Sequence, residues 1–173
     1  MMKKPIPVAA LVAALACVVA APASADESHH VAGIQSPPLT AGPDDPCPSA
    51  TAFAANAMAG SLIGCWYTDT FVVTKDTTTN GTEELHAIGT EHFVGCLDRN
   101  GDGRCTGGDP RGTLAFTYTL TAWFDAATGK EIRGGCHHPI VAGTGDFAEA
   151  TGVVNFADNV TNGTSAYRGR IDL

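Results

Sequence analysis

Past its first segment the chain has no apolar run approaching ~20 residues, so no transmembrane helix is expected there. It has no Cys-x-x-Cys pair, which argues against a thiolate zinc site or a thioredoxin-like redox site. G-x-S-x-G, a P-loop and a dinucleotide fingerprint are all missing, and with them the commonest hydrolase and nucleotide readings. Positive charge is scarce: Lys and Arg total 10 against 18 Asp and Glu, a net charge of −8. An acidic chain of this kind is a poor partner for nucleic acid or for an anionic membrane.

What is present begins with a short basic stretch, Met1 to Lys4, and an apolar one, Val8 to Ala21. Ala23-Ser24-Ala25 then offers small residues for cleavage, and acidic Asp26-Glu27 follows. This is the order of a secretory signal peptide, expected over residues 1–25. A lipoprotein anchor at Cys17 fits less well, because Ala14 stands three residues before it and the apolar run continues beyond. The expected product is secreted and extracellular, with no membrane contact once the leader is cleaved. Of the 6 cysteines, Cys17 lies in that leader; Cys47, Cys65, Cys96, Cys105 and Cys136 remain. In an oxidising compartment they predict disulfides, and their odd number leaves one free or paired between chains, so a homo-oligomer stays open.

Residues 26–60 read as an irregular leader rich in Pro, Asp and Ser, with a short helix as an option over 49–60, from Ser49 as N-cap to Gly60 as stop. From residue 61 to 173 strand-like segments alternate with turns. Asn80-Gly81 is a strong hairpin signal between Leu62–Lys75 and Glu83–Leu97. Gly112 to Asp125 (GTLAFTYTLTAWFD) alternates cleanly, with Leu114, Phe116, Tyr118, Leu120, Ala122 and Phe124 on one side. Lys130–Gly143, Gly152–Ala157 and Ser165–Leu173 complete six or seven strands. Few have a purely polar face, which suits a closed barrel or a covered sandwich rather than a sheet wetted on one side.

A series of motifs narrows that choice. Gly89-Thr90-Glu91-His92-Phe93-Val94-Gly95 is followed by Gly112-Thr113-Leu114, then by Gly143-Thr144-Gly145-Asp146-Phe147 running on to Phe156, and last by Tyr167-Arg168-Gly169. This succession resembles the allene oxide cyclase-like barrel superfamily, which includes the dirigent proteins and small secreted bacterial relatives. The resemblance spans roughly residues 60 to 173. It implies a single all-β domain, an antiparallel closed barrel of about eight strands. It also implies a cavity for a small hydrophobic molecule, with isomerase, cyclase or dirigent-like activity in some members. The shared motifs build the barrel, and no active-site residue is carried over from them.

Three sets of residues carry candidate chemistry. Asp98, Asn100, Asp102, Gly103, Arg104, Thr106 and Asp109 fall at positions 1, 3, 5, 6, 7, 9 and 12 of a calcium loop, with Arg104 offering its carbonyl. Asp replaces the usual final Glu, Pro110 follows at once and strands flank the loop, so an EF-hand is excluded. No cofactor is required, and calcium is the one ion this pattern suits. Cys96 and Cys105 bracket the same loop and predict a staple; Cys47 then pairs with Cys65 or Cys136, with Cys65 favoured. Histidines meeting inside a barrel would bind zinc or copper, or work as acid and base, although no H-x-H or H-E-x-x-H spacing is present. His92, Glu91 and His138 are the candidates for acid–base work. Trp66, Tyr67, Phe116 and Tyr118 are candidate pocket residues, with core packing as the competing reading. The competing function for the whole chain is a non-catalytic structural or interaction module with a stapled loop.

Overall fold

The computed structural model describes residues 27–36, 47 and 54–173. Eight strands follow in chain order: β1 (Ser28–Ser36), β2 (Ala54–Gly60), β3 (Leu62–Thr79), β4 (Thr82–Leu97), β5 (Arg111–Asp125), β6 (Lys130–Gly143), β7 (Thr151–Asn159) and β8 (Thr164–Asp172). A single 3-10 turn, Gly145–Phe147, interrupts them. Every strand is antiparallel to the next, and β8 pairs back to β1, so the sheet closes into a ring. The expected all-β architecture with about eight antiparallel strands is present.

The expected leader is corrected at two places. Ser28–Ser36 and Ala54–Gly60 are strands, not irregular chain or helix. They supply the two staves that close the ring between β8 and β3. A helix over 49–60 is therefore excluded at 54–60, where Ala55, Asn56, Ala57 and Met58 pair with Tyr67, Trp66, Cys65 and Gly64. Residues 49–53 and the signal peptide at 1–25 lie outside the described residues. Among the described residues no helix is long and apolar enough to cross a membrane.

Asn80 and Gly81 both have positive φ, 52° and 81°, and join Thr79 to Thr82 in a tight hairpin. The period-two pattern of β5 sends Leu114, Phe116, Tyr118 and Ala122 inward, all buried. Pairing carries that parity around the ring. Trp66 opposes Phe93, which opposes Leu114; Cys136 opposes Phe156, which opposes Tyr167. Trp66, Phe93, Leu114, Phe116, Phe156 and Tyr167, with Leu62, Val154, Phe147 and Ile171, belong to one hydrophobic cluster, and Cys136 packs against it. Tyr167 also ties the ring across its closure: its hydroxyl accepts from Leu62 N–H at 2.8 Å. The strands differ in length. β3 to β6 have 14 to 18 residues, whereas β7 and β8 have 9 each. The ring thus has one end with extended strands and one end closed by the Cys96–Cys105 loop.

Candidate functional site

Inside the ring, Glu91 is a junction. Its carboxylate accepts from Trp66 Nε1–H at 2.5 Å, Thr68 Oγ1–H at 2.7 Å and His138 Nε2–H at 2.8 Å. A carboxylate only accepts, so the proton of the His138–Glu91 contact sits on Nε2. The other ring nitrogen, Nδ1, carries a lone pair whenever the ring is neutral. The atom is buried and has no hydrogen-bond partner. His138 is only 2% exposed, and aromatic rings surround it. Trp66 and Phe156 meet it edge-on at 5.3 and 4.9 Å, and Tyr118 lies 5.5 Å away. Burial, and then the charge of Glu91, push the Tyr118 hydroxyl up to about 12, so it stays neutral and donates to Thr70 O.

Strand parity explains which expected partners meet. Glu91 and His138 both point inward, although 47 residues separate them. His92 follows Glu91 and so points outward; this corrects its place among the acid–base candidates. It bonds Asp69 at 2.8 Å and stacks on Tyr67. Tyr67 is corrected for the same reason: it stands on the outer surface, not in a pocket. His86 bonds Glu84 at 2.6 Å and His137 bonds Asn155 at 2.7 Å. Among the described residues no three His, Cys, Asp or Glu groups are arranged to hold a metal ion.

Trp66 and Phe116 are inward but fully packed, stacked with centroids 4.4 Å apart. They fill the loop end of the interior. Toward the other end inward Val73 is 46% exposed, and its row-mates across the sheet are Ala87, Leu120 and Cys136. Cys136 is the free cysteine of the described residues. Desolvation, then Glu91, Asp158 and Glu131, push its thiol far up, so it remains protonated and unreactive while enclosed.

Both predicted disulfides are present: Cys96–Cys105 and Cys47–Cys65, with Cα atoms 5.8 and 5.4 Å apart. Within the stapled loop, side chains satisfy the backbone. Asp98 accepts from Gly101 and Gly103 N–H, both at 2.8 Å, Asn100 from Asp102 N–H, and Asp102 from Arg104 N–H. Asp109 accepts from the Thr106 hydroxyl and amide and from Arg99 N–H, which hold its carboxyl below the usual carboxylate range. The side-chain oxygens of Asp98, Asn100, Asp102 and Asp109 thus each accept from a nearby backbone N–H.

Sequence reasoning missed Trp66 Nε1 and Thr68 as donors, Phe156 as a ring against His138, and Glu131 and Asp158 altogether. Period two from Phe156 would have placed Asp158 on the same face. Glu131 gave no such signal, because a register shift lies between it and Arg133. Comparison with known proteins found no matching family model, no similar curated protein and no similar solved structure.

Proposed function

We propose that the chain is a secreted barrel of the allene oxide cyclase-like type that takes up one small hydrophobic molecule in its interior. The molecule carries a hydrogen-bond donor, and His138 Nδ1 receives it. One observation carries this reading: Nδ1 is buried with no hydrogen-bond partner, in an imidazole whose other nitrogen is fixed by Glu91, and in the neutral ring it is an acceptor. Leaving such a group unpaired costs about 1–3 kcal/mol, which a ligand hydroxyl would recover. The surrounding Trp66, Phe116, Tyr118 and Phe156 rings suit an apolar body. Entry is from the extended end, past Val73 and Leu120. Nδ1 has no accessible area, so a ring must swing aside, and Tyr118, anchored by one bond to Thr70 O, is placed to do so.

The same pair supports isomerase or cyclase chemistry. Nδ1 takes a proton from the bound molecule, Glu91 stabilises the imidazolium, and the proton returns at a second atom with no net change in composition. The test is native mass spectrometry of protein purified from its own secretion medium, wild type beside His138→Phe. A small-molecule adduct on the wild type, lost in the variant, is expected. A 1-naphthol titration read on the His138 ring nitrogens by NMR should shift Nδ1 most. A wild type with neither adduct nor shift overturns the pocket. The filled Trp66–Phe116 end and the self-satisfied loop then favour the non-catalytic structural module.

A further inference from the structure

The ladder between β6 and β7 is short. It runs from Pro139↔Val153 to Gly135↔Ala157 and stops. Each strand keeps its other neighbour beyond that point: β6 stays paired to β5 as far as Lys130, and β7 to β8 as far as Asn159. The seam between β6 and β7 therefore opens toward the extended end of the ring.

Glu131 of β6 and Asp158 of β7 stand across that opening, with Glu131 Oε1 and Asp158 Oδ2 each 2.4 Å from the one point that a Gly134 Cβ would occupy. Gly134 makes the room, because a Cβ there would collide with Glu131 Oε1 and Asp158 Oδ2 together. Ser165 Oγ donates to Asp158 Oδ1 at 2.6 Å. Glu131 Oε1 is buried with no donor. Two carboxyls in contact attract only while one proton lies between them.

The groups facing the pair come from each neighbouring element. Cys136 on β6 is kept a neutral thiol. Phe124 and Ala122 on β5 and Ser165 on β8 do not titrate in this range. Glu83 of β4 lies one strand further along the row of Phe124, and the charge of Glu91 of β4 bears on Cys136. All of the described Lys and Arg residues are exposed, so none neutralises the pair from inside.

We propose that Glu131 and Asp158 form a proton-dependent clamp that closes the β6–β7 seam and opens it as pH rises. Loss of the shared proton leaves two carboxylates facing each other past the last backbone pair. The seam then parts beside Phe156, the next inward residue of β7, which packs on Trp66 at 4.8 Å. Desolvation and Asp158 raise the Glu131 carboxyl above the usual range, so the clamp is shut where ordinary carboxyls have already ionised. The clamp does not depend on the ligand reading, since it is a property of the free protein.

The test is acrylamide quenching of Trp66 fluorescence between about pH 4 and about pH 9, spanning the ordinary carboxyl range and well above it. Trp123→Phe leaves Trp66 as the one tryptophan of the 2 in the chain, and circular dichroism at each pH confirms that the fold persists. The quenching constant should rise severalfold with pH. Glu131→Gln, whose amide donates to Asp158 at every pH, should hold it low throughout. Asp158→Ala should hold it high throughout. A flat profile in the Trp123→Phe protein overturns the clamp, as does an equal rise in Glu131→Gln. If Glu131→Gln fails to fold, Asp158→Asn makes the same proton-independent bond and replaces it.

Discussion

Glu91→Ala should be among the most damaging single substitutions in the chain, and Glu91→Gln one of the milder ones at a buried acid. The carboxylate side chain is 12% exposed and accepts from Trp66, Thr68 and His138. Alanine leaves the two ring N–H donors buried and fixed, at about 1–3 kcal/mol each; the Thr68 hydroxyl can rotate away. With the void left by the side chain, roughly 4 kcal/mol is expected, a large share of the about 5–15 kcal/mol that holds a domain together. Glutamine keeps its amide oxygen at the Oε2 position for both ring N–H groups and turns its NH2 to Thr68 Oγ1. It loses only the charge assistance, about 1–2 kcal/mol. Urea unfolding followed by tryptophan fluorescence measures both, with the disulfides intact. A double-mutant cycle with His138→Leu should show about 1–3 kcal/mol of coupling, because removing the donor relieves the loss of its acceptor. Equal costs for Ala and Gln, or a cost for Ala below about 1 kcal/mol, would refute the junction.

The Cys96–Cys105 staple closes a loop with a sequence separation of 9. Replacing both cysteines by Ser should cost about 2–3 kcal/mol in urea unfolding while Cys47–Cys65 stays formed by peptide mapping, and an unchanged midpoint would contradict this. Thermal melts with calcium and with chelator should coincide, because the loop carboxylates already have donors; a higher melting temperature in calcium would show that they turn to an ion. Asp98→Ala should lower stability by about 2 kcal/mol through the lost Gly101 and Gly103 bonds, with or without calcium. Asp109 has a lowered folded pKa, so its contribution is present above the unfolded value and is lost as pH falls through the folded one. Asp109→Asn should therefore flatten the acid limb of stability against pH, and an unaltered acid limb would rule that out.

The legible parts of the fold were those where local signals and tertiary pairing agree. β5 alternates strictly, and Asn80-Gly81 demands a hairpin; both appear as read. β1 and β2 were illegible because SHHVAGIQS and AANAMAG hold few strong strand formers. Their strand state comes from completing the ring against β8 and β3, which is a long-range effect. At the site, Glu91 and His138 were recognisable as residue types, but only pairing across two ladders shows that they meet. His92 was misplaced because neighbouring residues on a strand face opposite ways. The loop was ambiguous for a chemical reason. The Asp and Asn oxygens that would chelate calcium are the same ones that cap backbone N–H groups in tight turns.

Glu91, Glu131 and Asp158 stand on the inner face where, among the described residues, no Lys or Arg balances them from inside, so each must be stabilised by something other than a cation. Glu91 is held by donors from β3 and β6. Asp158 is held by Ser165 and by the Glu131 proton. The first arrangement draws its donors from an indole, a hydroxyl and an imidazole on three separate residues. The second changes with pH, since its donor is itself an acid. This asymmetry places rigidity at the filled end of the ring and adjustability at the extended end. It also sets a condition on any guest. A ligand seated at His138 adds a donor to an acidic, cation-free interior, so a neutral hydroxyl compound fits, and a carboxylate does not. For Glu131 the sign is opposite to that of Asp109. Its raised pKa contributes stability that is present below the unfolded value and lost as pH rises through the folded one. Acid should therefore loosen the stapled loop while leaving the clamp shut, and base should open the clamp while leaving the loop intact.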